Sequence, residues 1–268
     1  MNKPGPRRQT KRKPRPESDQ VAVFGIHAVD SLLQHRPEQA LSLWVAAERQ
    51  DARIQTLIEL AHRRGLSITE QPREELNQVA QGVHQGILAW AQPRTAGSET
   101  DLEQLLEGLQ EPALLLVLDG VTDPHNLGAC IRSAEAAGAH ALILPRDKSA
   151  GLNATVRKVA CGAAETLPVI QVTNLARTLR SLANYGIWIV GTAGETDQLV
   201  YQSDLTRPLA LVMGAEGKGL RRLTREHCDQ LVRLPMAGSV SSLNVSVATG
   251  ICLYEAVRQR LPDKGLGE

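Results

Sequence analysis

Aromatic residues are scarce in this 268-residue sequence, at 3%, and Phe24 is its single phenylalanine. Folds that bind single-stranded RNA by stacking need exposed aromatic side chains at fixed positions. Three Trp, three Tyr and one Phe leave few residues for such a platform. We therefore expect any bound nucleic acid to be held mainly by polar and charged groups.

Cysteine is also rare, and its spacing argues against a metal centre or a disulfide framework. The four cysteines, Cys130, Cys161, Cys228 and Cys252, are far apart and form no C-x-x-C pair. The histidines show no H-E-x-x-H spacing, so the sequence predicts no metal site. Cys130 and Cys252 fall within apolar helical patterns, which favours small buried hydrophobic residues.

Long apolar runs are missing as well. No segment approaches the ~18 consecutive apolar residues of a membrane-spanning helix. The basic N-terminus also lacks the apolar segment of a secretory signal. The 42% hydrophobic content is nevertheless enough for a sizeable core. These features predict a cytoplasmic protein with no membrane partner.

The net charge is close to zero, at +1, but it is distributed unevenly. Residues 1–20 carry seven basic and two acidic residues, which leaves 23 basic and 27 acidic residues for the rest of the chain. This proline-rich basic arm has little to bury and is predicted to be disordered. It could be a solvated tail, or it could gain RNA affinity by neutralising phosphates.

The rest of the chain divides into two α/β regions. Residues 21–91 predict a small α/β unit with an amphipathic helix at 51–64, and residues 92–112 predict a linker with one short helix. From 113 to 268, apolar strands alternate with helices, which is typical of a mostly parallel sheet covered on both faces. The predicted strands are 114–118, 141–144, 167–172, 187–190, 210–213 and 231–234.

Three polar segments follow or end predicted strands of this second sheet and lead into helices. They are 123–132 (DPHNLGACIR), 211–220 (LVMGAEGKGL) and 234–250 (LPMAGSVSSLNVSVATG). Glycine lets a backbone approach a ligand closely, and helix N-termini favour ligand groups of negative charge. Because ligands of such sheets bind beyond the carboxyl ends of the strands, the three segments predict one shared active site.

In the first segment, Asn126 and Arg132 each have a structural and a functional interpretation. Asn126 directly precedes the predicted helix, where it could be the N-cap. Arg132 could form a surface pair with Glu135, or it could lean over Gly128 toward the loop at 123–126. A glycine beneath an arginine at a strand-end loop favours the substrate-site interpretation.

The glycines of the second segment do not form a nucleotide-binding motif. G-x-x-x-x-G-K-[ST] fails at Val212, and G-x-G-x-x-G fails at Arg222. What remains is a glycine-rich turn with one carboxylate, Glu216, which could also be a first-turn helix residue favoured by the helix dipole. In the third segment, Ser242 and Asn244 could each be a helix cap.

Together, the three segments closely resemble the motifs of the SpoU/TrmH family of RNA ribose 2′-O-methyltransferases, which use S-adenosylmethionine (SAM) and need no metal. The resemblance implies a deep trefoil knot in the C-terminal part of the parallel-sheet domain. It implies catalytic roles for Asn126, Arg132, Glu216, Ser242 and Asn244. It implies cofactor-binding roles for Gly214, Leu234, Leu243, Thr192 and Met236.

The resemblance also implies partners. Residues 21–91 resemble the RNA-binding domain of members that modify ribosomal RNA, in which His84 could contact RNA or be an ordinary turn histidine. Residues 235–249 look most like the bacterial enzymes that methylate a guanosine of 23S ribosomal RNA. The alternatives are a tRNA ribose methyltransferase and a non-catalytic RNA-binding homologue. Members form homodimers, for which the last helix offers an apolar stripe unless the chain packs it internally (Val245, Ala248, Cys252, Ala256).

Overall fold

The computed structural model describes residues 20–47, 51–80, 83–215 and 217–261. The basic arm up to residue 19 and the predicted catalytic residue Glu216 lie outside this part of the chain. The described residues form two β-sheets, one within residues 21–91 and one within residues 114–232. None of their helices is both long enough and apolar enough to cross a membrane.

The N-terminal sheet has four strands, accompanied by three helices. These elements are β1 (Val21–Phe24), α1 (Ile26–His35), β2 (Ala40–Ala46), α2 (Ala52–Arg63), β3 (Ser67–Gln71), α3 (Arg73–Val79) and β4 (Ile87–Ala91). The strand β4 lies between β1 and β2 and is antiparallel to both, while β3 pairs in parallel with β2. The predicted amphipathic helix is α2, whose N-cap Asp51 accepts a hydrogen bond from the N–H of Ile54 (3.2 Å). Periodicity did not predict β1 or α3, which are four and seven residues long.

The second sheet contains six strands, and every neighbouring pair is parallel. After α4 (Glu99–Gly108), the elements are β5 (Leu114–Asp119), α5 (Pro124–Ala136), β6 (Ala141–Pro145), α6 (Ala154–Ala160), α7 (Ala163–Thr166), β7 (Val169–Val172), α8 (Leu175–Asn184), β8 (Trp188–Thr192), β9 (Leu209–Gly214), α9 (Arg222–Glu226), β10 (Gln230–Val232) and α10 (Val245–Arg260). The strand order is β10-β8-β9-β5-β6-β7. The parallel sheet predicted from continuous apolar strands is therefore confirmed.

Helices cover both faces of this sheet because its central strands are apolar on both sides. All six residues of β5 are buried. One face packs in a hydrophobic cluster with α5, α6, α7 and α10, and the other face packs with α4 and α8. Since the strands are parallel, the carboxyl ends of β5, β9 and β10 lie on one edge, where the three polar segments begin.

The segment between the two sheets is packed against the second sheet. Gly97 pairs beside the edge strand β7. Its N–H donates to the carbonyl of Val169 (2.8 Å), and its carbonyl accepts from the N–H of Gln171 (2.8 Å). Ser98 and Asp101 form a capping box at the start of α4. Glu99 accepts hydrogen bonds from the N–H and the hydroxyl of Thr173, both at 2.8 Å.

The final helix, α10, uses its predicted apolar stripe within the chain. Val245, Cys252 and Ala256 are at most 5% exposed, and they lie in the cluster that contains α5. The expectation that this stripe serves a second copy is therefore wrong, because the packing of α10 on α5 covers it. A different side of α10 is open, where Val247 and Tyr254 are 51% and 52% exposed.

Candidate active site

Asn126 lies inside α5 and not at its start. The helix begins at Pro124, and its N-cap is Asp123, whose carboxylate accepts a hydrogen bond from the N–H of His125 (2.9 Å). The interpretation of Asn126 as an N-cap is therefore wrong. Proline at the first helical position favours this earlier start, because its missing N–H would be unpaired there anyway. Asn126 is 8% exposed, so its amide is held by protein groups.

Asn244 connects the third segment to the first. Its Oδ1 caps α10 by accepting hydrogen bonds from the N–H groups of Ser246 (2.9 Å) and Val247 (3.4 Å). Its Nδ2 donates to Oδ1 of Asn126 (2.9 Å). Asn244 is thus both the predicted helix cap and a direct partner of a second predicted site residue. Two amides 118 positions apart in the sequence fix each other's orientation.

The second segment closes into a tight turn. Ala215 and Gly219 exchange backbone hydrogen bonds of 3.2 and 2.9 Å. A Cβ at Gly214 would lie 2.3 Å from the carbonyl carbon of Gly219 and 2.5 Å from the nitrogen of Leu220. Glycine is required at 214 because the returning backbone of the same turn occupies the space of a side chain.

Asp119, the last residue of β5, anchors the exit of this turn. Its carboxylate accepts hydrogen bonds from the N–H of Arg221 (2.8 Å) and from the Nε–H of the same residue. Asp119 is 1% exposed, whereas Arg221 reaches toward solvent. Sequence reasoning missed this residue, although a carboxylate at the end of an otherwise apolar strand was a usable signal.

A cavity of about 630 Å³ lies between the second and third segments and the end of β8. Its volume falls within the range of small-molecule sites. All five residues predicted to bind the cofactor line it, as do Ser242 and Asn244. Those five are Thr192, Gly214, Leu234, Met236 and Leu243. Leu234, Val245 and Ala248 supply apolar walls, while backbone groups of the glycine turn and Ser242 supply polar ones.

A second cavity of about 560 Å³ adjoins the first, since both include Ala215, Lys218, Gly219 and Val245 in their walls. Asn126 faces this smaller cavity. Its wall also holds three basic residues, Lys148, Lys218 and Arg221, against the acids Asp119 and Asp123. Because Arg221 binds the Asp119 carboxylate, Lys148 and Lys218 face the single remaining acid of the described wall, Asp123, and the charged residues of the wall favour a negatively charged ligand.

Arg132 lies outside the walls of both cavities. Its side chain is exposed, and Nη1 contacts Sγ of Cys161 at 3.5 Å. No ion pair joins it to Glu135, which accepts a hydrogen bond from the hydroxyl of Thr166 (3.4 Å). A Cβ at Gly128 would meet Val159 of α6 at 2.7 Å. Close packing of α5 on α6 therefore accounts for this glycine, while the side chain of Arg132 contacts the turn after α6 at Cys161.

His84 is a structural residue of the N-terminal sheet. It is 3% exposed, its Nε2 lies 2.9 Å from Oδ1 of Asn77, and its Nδ1 accepts a hydrogen bond from the N–H of Gly86 (3.1 Å). The turn interpretation holds, and a direct contact with RNA is excluded by this burial. Cys130 and Cys252 are fully buried and form no disulfide, as the apolar pattern predicted, and burial raises the pKa of Cys252 to about 12.

No cluster of three or more His, Cys, Asp or Glu side chains suited to a metal ion occurs within the described ranges. The candidate site consists of the two adjoining cavities, and the hydrogen bond between Asn126 and Asn244 joins them. Of the predicted catalytic residues, the structure brings Asn126, Ser242 and Asn244 to these cavities and leaves Arg132 at the surface.

Residues 113–254, more than half of the chain, match the sequence profile of the SpoU rRNA Methylase family. The chain belongs to this family. Residues 22–96 of this SpoU methylase also match the profile described as RNA 2′-O ribose methyltransferase substrate binding. The resemblance inferred from the three polar segments is thereby confirmed.

Curated relatives align with this SpoU methylase over nearly their whole length. It is 61% identical, over 90% of its chain and 97% of the relative, to the 23S rRNA (guanosine-2′-O-)-methyltransferase RlmB of Pseudomonas aeruginosa. It is 59% identical to the enzyme of the same name from Escherichia coli, over 89% of its chain and 98% of the relative.

Solved structures agree with the fold. The SpoU methyltransferase AviRb from Streptomyces viridochromogenes, in complex with the cofactor AdoMet, superposes with a TM-score of 0.65 and 27% identity, over 90% of this chain and 91% of AviRb. A structure described as an RNA 2′-O ribose methyltransferase superposes with a TM-score of 0.60 and 27% identity, over 90% of this chain and 89% of the other.

Proposed function

We propose that this SpoU methylase transfers a methyl group from SAM to the ribose 2′-OH of a guanosine in 23S ribosomal RNA. The single observation that carries the proposal is the pair of adjoining cavities, one lined by every residue predicted to hold SAM. The curated relatives named for this reaction, at about 60% identity, support the choice of substrate.

The larger cavity holds SAM. Its residues fit this ligand because an adenosine needs apolar walls with backbone polar groups, and an amino-acid end needs hydroxyl and amide partners. Leu234, Met236 and Leu243 serve the first purpose, and Ser242 serves the second. When bound, SAM supplies a methyl group on a positively charged sulfur. AdoMet bound to the related protein AviRb supports this assignment.

The smaller cavity receives the target nucleotide. Lys148 and Lys218 attract its phosphates, and Asn126 orients the ribose at the boundary with the larger cavity. Asn244 keeps the Asn126 amide in one orientation through their 2.9 Å hydrogen bond. This arrangement aligns the 2′-oxygen for an in-line displacement. Holding the reacting groups in this geometry removes a large part of the activation barrier.

Arg132 binds the neighbouring phosphate and stabilises negative charge on the 2′-oxygen as the bond to the methyl group forms. It does not remove the proton, because a guanidinium remains charged in proteins. Nη1 contacts the Cys161 sulfur, and the other N–H donors of the guanidinium face the phosphate. Glu216 orients Arg132 or accepts the proton through water. If a Glu216→Gln variant kept the single-turnover rate and its pH profile, Glu216 would have no part in proton transfer.

A homodimer brings Arg132 to a cavity. Gly250 of α10 approaches the hydroxyl of Ser133, so the residue after Arg132 borders the open side of α10 that carries Val247 and Tyr254. Two copies that bury this apolar side would place one copy's Arg132 near the other's cavities. A monomeric mass at micromolar concentration in sedimentation would contradict the homodimer.

Complementation between two inactive variants tests the shared site. Arg132→Ala and Asn244→Ala proteins are each expected to have reduced activity. Mixed dimers would contain one intact site if Arg132 acts across the interface, so a random mixture should recover about a quarter of wild-type activity. No recovery after subunit exchange would place Arg132 in the site of its own chain.

The finer architecture is part of the same proposal. The chain divides into a basic arm (1–20), an RNA-binding domain (21–91), a linker (92–112) and a cytoplasmic, knotted SAM-binding domain (113–268). The knot is supported by the strand order and by Arg233, which pairs with the segment 198–200 just before the third polar segment. The arm adds RNA affinity, so deleting residues 1–20 should lower the log–log salt slope by about 0.7–0.9 for each lost phosphate contact.

Methyl transfer from radiolabelled SAM tests the function directly. The purified chain is given 23S rRNA transcripts or bulk tRNA, and digestion to nucleosides identifies the product. We expect 2′-O-methylguanosine in 23S rRNA only. Label in tRNA alone would favour a tRNA ribose methyltransferase. Failure to bind SAM would favour a non-catalytic RNA-binding homologue.

A further inference from the structure

A nearly buried acid, Glu165 of α7, lies outside both cavities. It is 4% exposed, and charged or polar groups from two other segments contact its two oxygens. Arg157 of α6 forms an ion pair with Oε1, and the backbone N–H of Arg94 donates to Oε2 (2.9 Å). A carboxylate buried to this degree is stabilised by its paired charge and hydrogen bonds.

Arg94 and Arg157 also donate hydrogen bonds to backbone carbonyls next to Glu165. Arg157 Nη2 donates to the carbonyl of Arg94 (2.6 Å), and Arg94 Nη1 donates to the carbonyl of Thr166 (2.8 Å). Burial lowers the pKa of Arg94 to about 10, so this guanidinium is still charged at neutral pH. The segment that leaves the N-terminal sheet is thus fixed to α6 and α7 through Glu165.

Arg36, at the end of α1 in the N-terminal unit, interacts with the same carboxylate at longer range. Helix α1 packs on α7, and the attraction of Glu165 opposes the burial that lowers the pKa of Arg36. Arg36 Nη1 donates to Gln39 (2.9 Å), but Nη2 is buried without a hydrogen-bond partner in the described chain. An incompletely paired cation depends strongly on the nearby negative charge.

The turn that follows α6 contacts Arg132. Helix α6 ends at Ala160, its C-cap Cys161 has a left-handed backbone (φ 52°), and Gly162 continues the turn into α7. The Cys161 sulfur accepts the contact from Arg132 Nη1 (3.5 Å). Three residues therefore separate Glu165 from Cys161, the residue that touches Arg132, and the ion pair with Arg157 attaches Glu165 to α6 itself.

We propose that Glu165 is a positioning residue for Arg132: it holds α6 and Cys161 in place, and it links the seating of the N-terminal sheet to the chemistry. This inference rests on the proposed catalytic role of Arg132. Its physical basis is that removing the carboxylate leaves three guanidinium groups around an uncompensated site, which shifts α6. A displacement of about 1 Å at a catalytic group can cost two orders of magnitude in rate.

Glu165→Gln tests the idea, with Glu135→Gln as the matched control, because Glu135 is an exposed acid on the neighbouring helix α5. The readouts are SAM affinity by calorimetry and kcat and KM for rRNA at saturating SAM. We expect Glu165→Gln to lower kcat about tenfold or more while SAM affinity stays within about twofold. Glu135→Gln should match wild type, and Glu165→Asp should recover part of the loss.

A double-mutant cycle with Cys161→Ala separates positioning from general destabilisation. Cys161 lies in a turn and is only partly buried, so its variant is expected to fold. If Glu165 acts through Cys161, the double variant should be no slower than Glu165→Gln alone. The inference would be overturned if the two substitutions lowered kcat by factors that multiply in the double variant. It would also be overturned if Glu165→Gln had the same kcat as Glu135→Gln, or if Glu165→Gln lost SAM affinity in parallel with kcat. An active wild type would keep the proposed function intact in all three cases, whereas an inactive wild type would overturn both.

Discussion

The larger cavity and the junction around Glu165 both contain ion pairs, but they use them differently. At the cavity, Arg225 pairs with Glu195 while 42% and 59% of these side chains remain exposed. At the junction, 17% of Arg157 and 5% of Glu165 are exposed. Exposed pairs contribute little and exchange readily with water, whereas breaking a buried pair is costly. The cavity can therefore adjust to a ligand, and the junction fixes an orientation.

The two regions also differ in what builds them. The cavity is made largely of backbone and small side chains, held by the tight turn at Gly214 and by the cap at Asn244. The junction is made of long charged side chains from three separate segments. Binding and catalysis should therefore be separable by mutation, with SAM affinity dependent on the cavity and turnover dependent on Arg132 and the junction.

Arg132→Ala should give the largest effect and divide the two regions most clearly. Removing a donor that acts only as charge develops typically lowers turnover by about 10²–10³, and SAM affinity should be unchanged. Arg132→Lys should recover only part of the rate, because an ammonium cannot form the planar two-point contact.

The pH profile of both Arg132 variants decides between three roles. A general base would give the lysine variant activity that rises at a shifted pH. A surface residue would leave both variants as active as wild type. Either result would contradict charge stabilisation by Arg132.

Glu165→Gln and Glu195→Gln compare the buried and exposed pairs directly. We expect a loss of about 3 kcal/mol in the free energy of unfolding for Glu165→Gln, because Arg157 loses its buried partner and the nearby Arg36 and Arg94 lose a counter-charge. For Glu195→Gln we expect less than about 1 kcal/mol. Urea denaturation of both proteins provides the measurement, and equal losses would remove the distinction between cavity and junction.

Gly214→Ala should damage the cavity alone. The added methyl group meets the backbone of Gly219 and Leu220, which cannot shift as a flexible side chain would. Overpacking of this kind costs about 1–3 kcal/mol. Because the turn lines the cavity, we expect this cost to weaken SAM affinity roughly tenfold or more. Gly238→Ala in the third segment is the control, because nothing lies within 4 Å of its added Cβ. Unchanged calorimetric affinity of Gly214→Ala would show that the turn can open without loss of binding.

Asn244→Ala and Asn174→Ala both remove a helix cap, so each should lose about 1 kcal/mol of stability. Asn174 caps α8 by accepting a hydrogen bond from the N–H of Arg177 (3.0 Å), and it lines neither cavity. Only Asn244 also holds Asn126. Turnover should fall for Asn244→Ala and stay normal for Asn174→Ala; equal turnover in thermally matched assays would mean that Asn244 is a cap and nothing more.

The parallel sheet could be predicted because its strands are apolar on both faces, a local property of the sequence. Gly214, Leu234, Met236 and Leu243 could be named because they lie within the motif segments, where local spacing is sufficient, whereas Thr192 at the end of β8 was implied by the family resemblance alone. The direction of Arg132 could not be predicted, since its neighbour Cys161 belongs to another helix 29 positions away. Glu165 was equally hidden, because its partners Arg94 and Arg157 come from different segments.

The most direct test of the central claim is the ribose methylation of ribosomal RNA in cells that lack this protein. Mass spectrometry of 23S rRNA fragments should reveal the loss of one 2′-O-methylguanosine. The wild-type gene should restore it, and the Arg132→Ala gene should not. An unchanged 23S rRNA, or a loss confined to tRNA, would contradict the account.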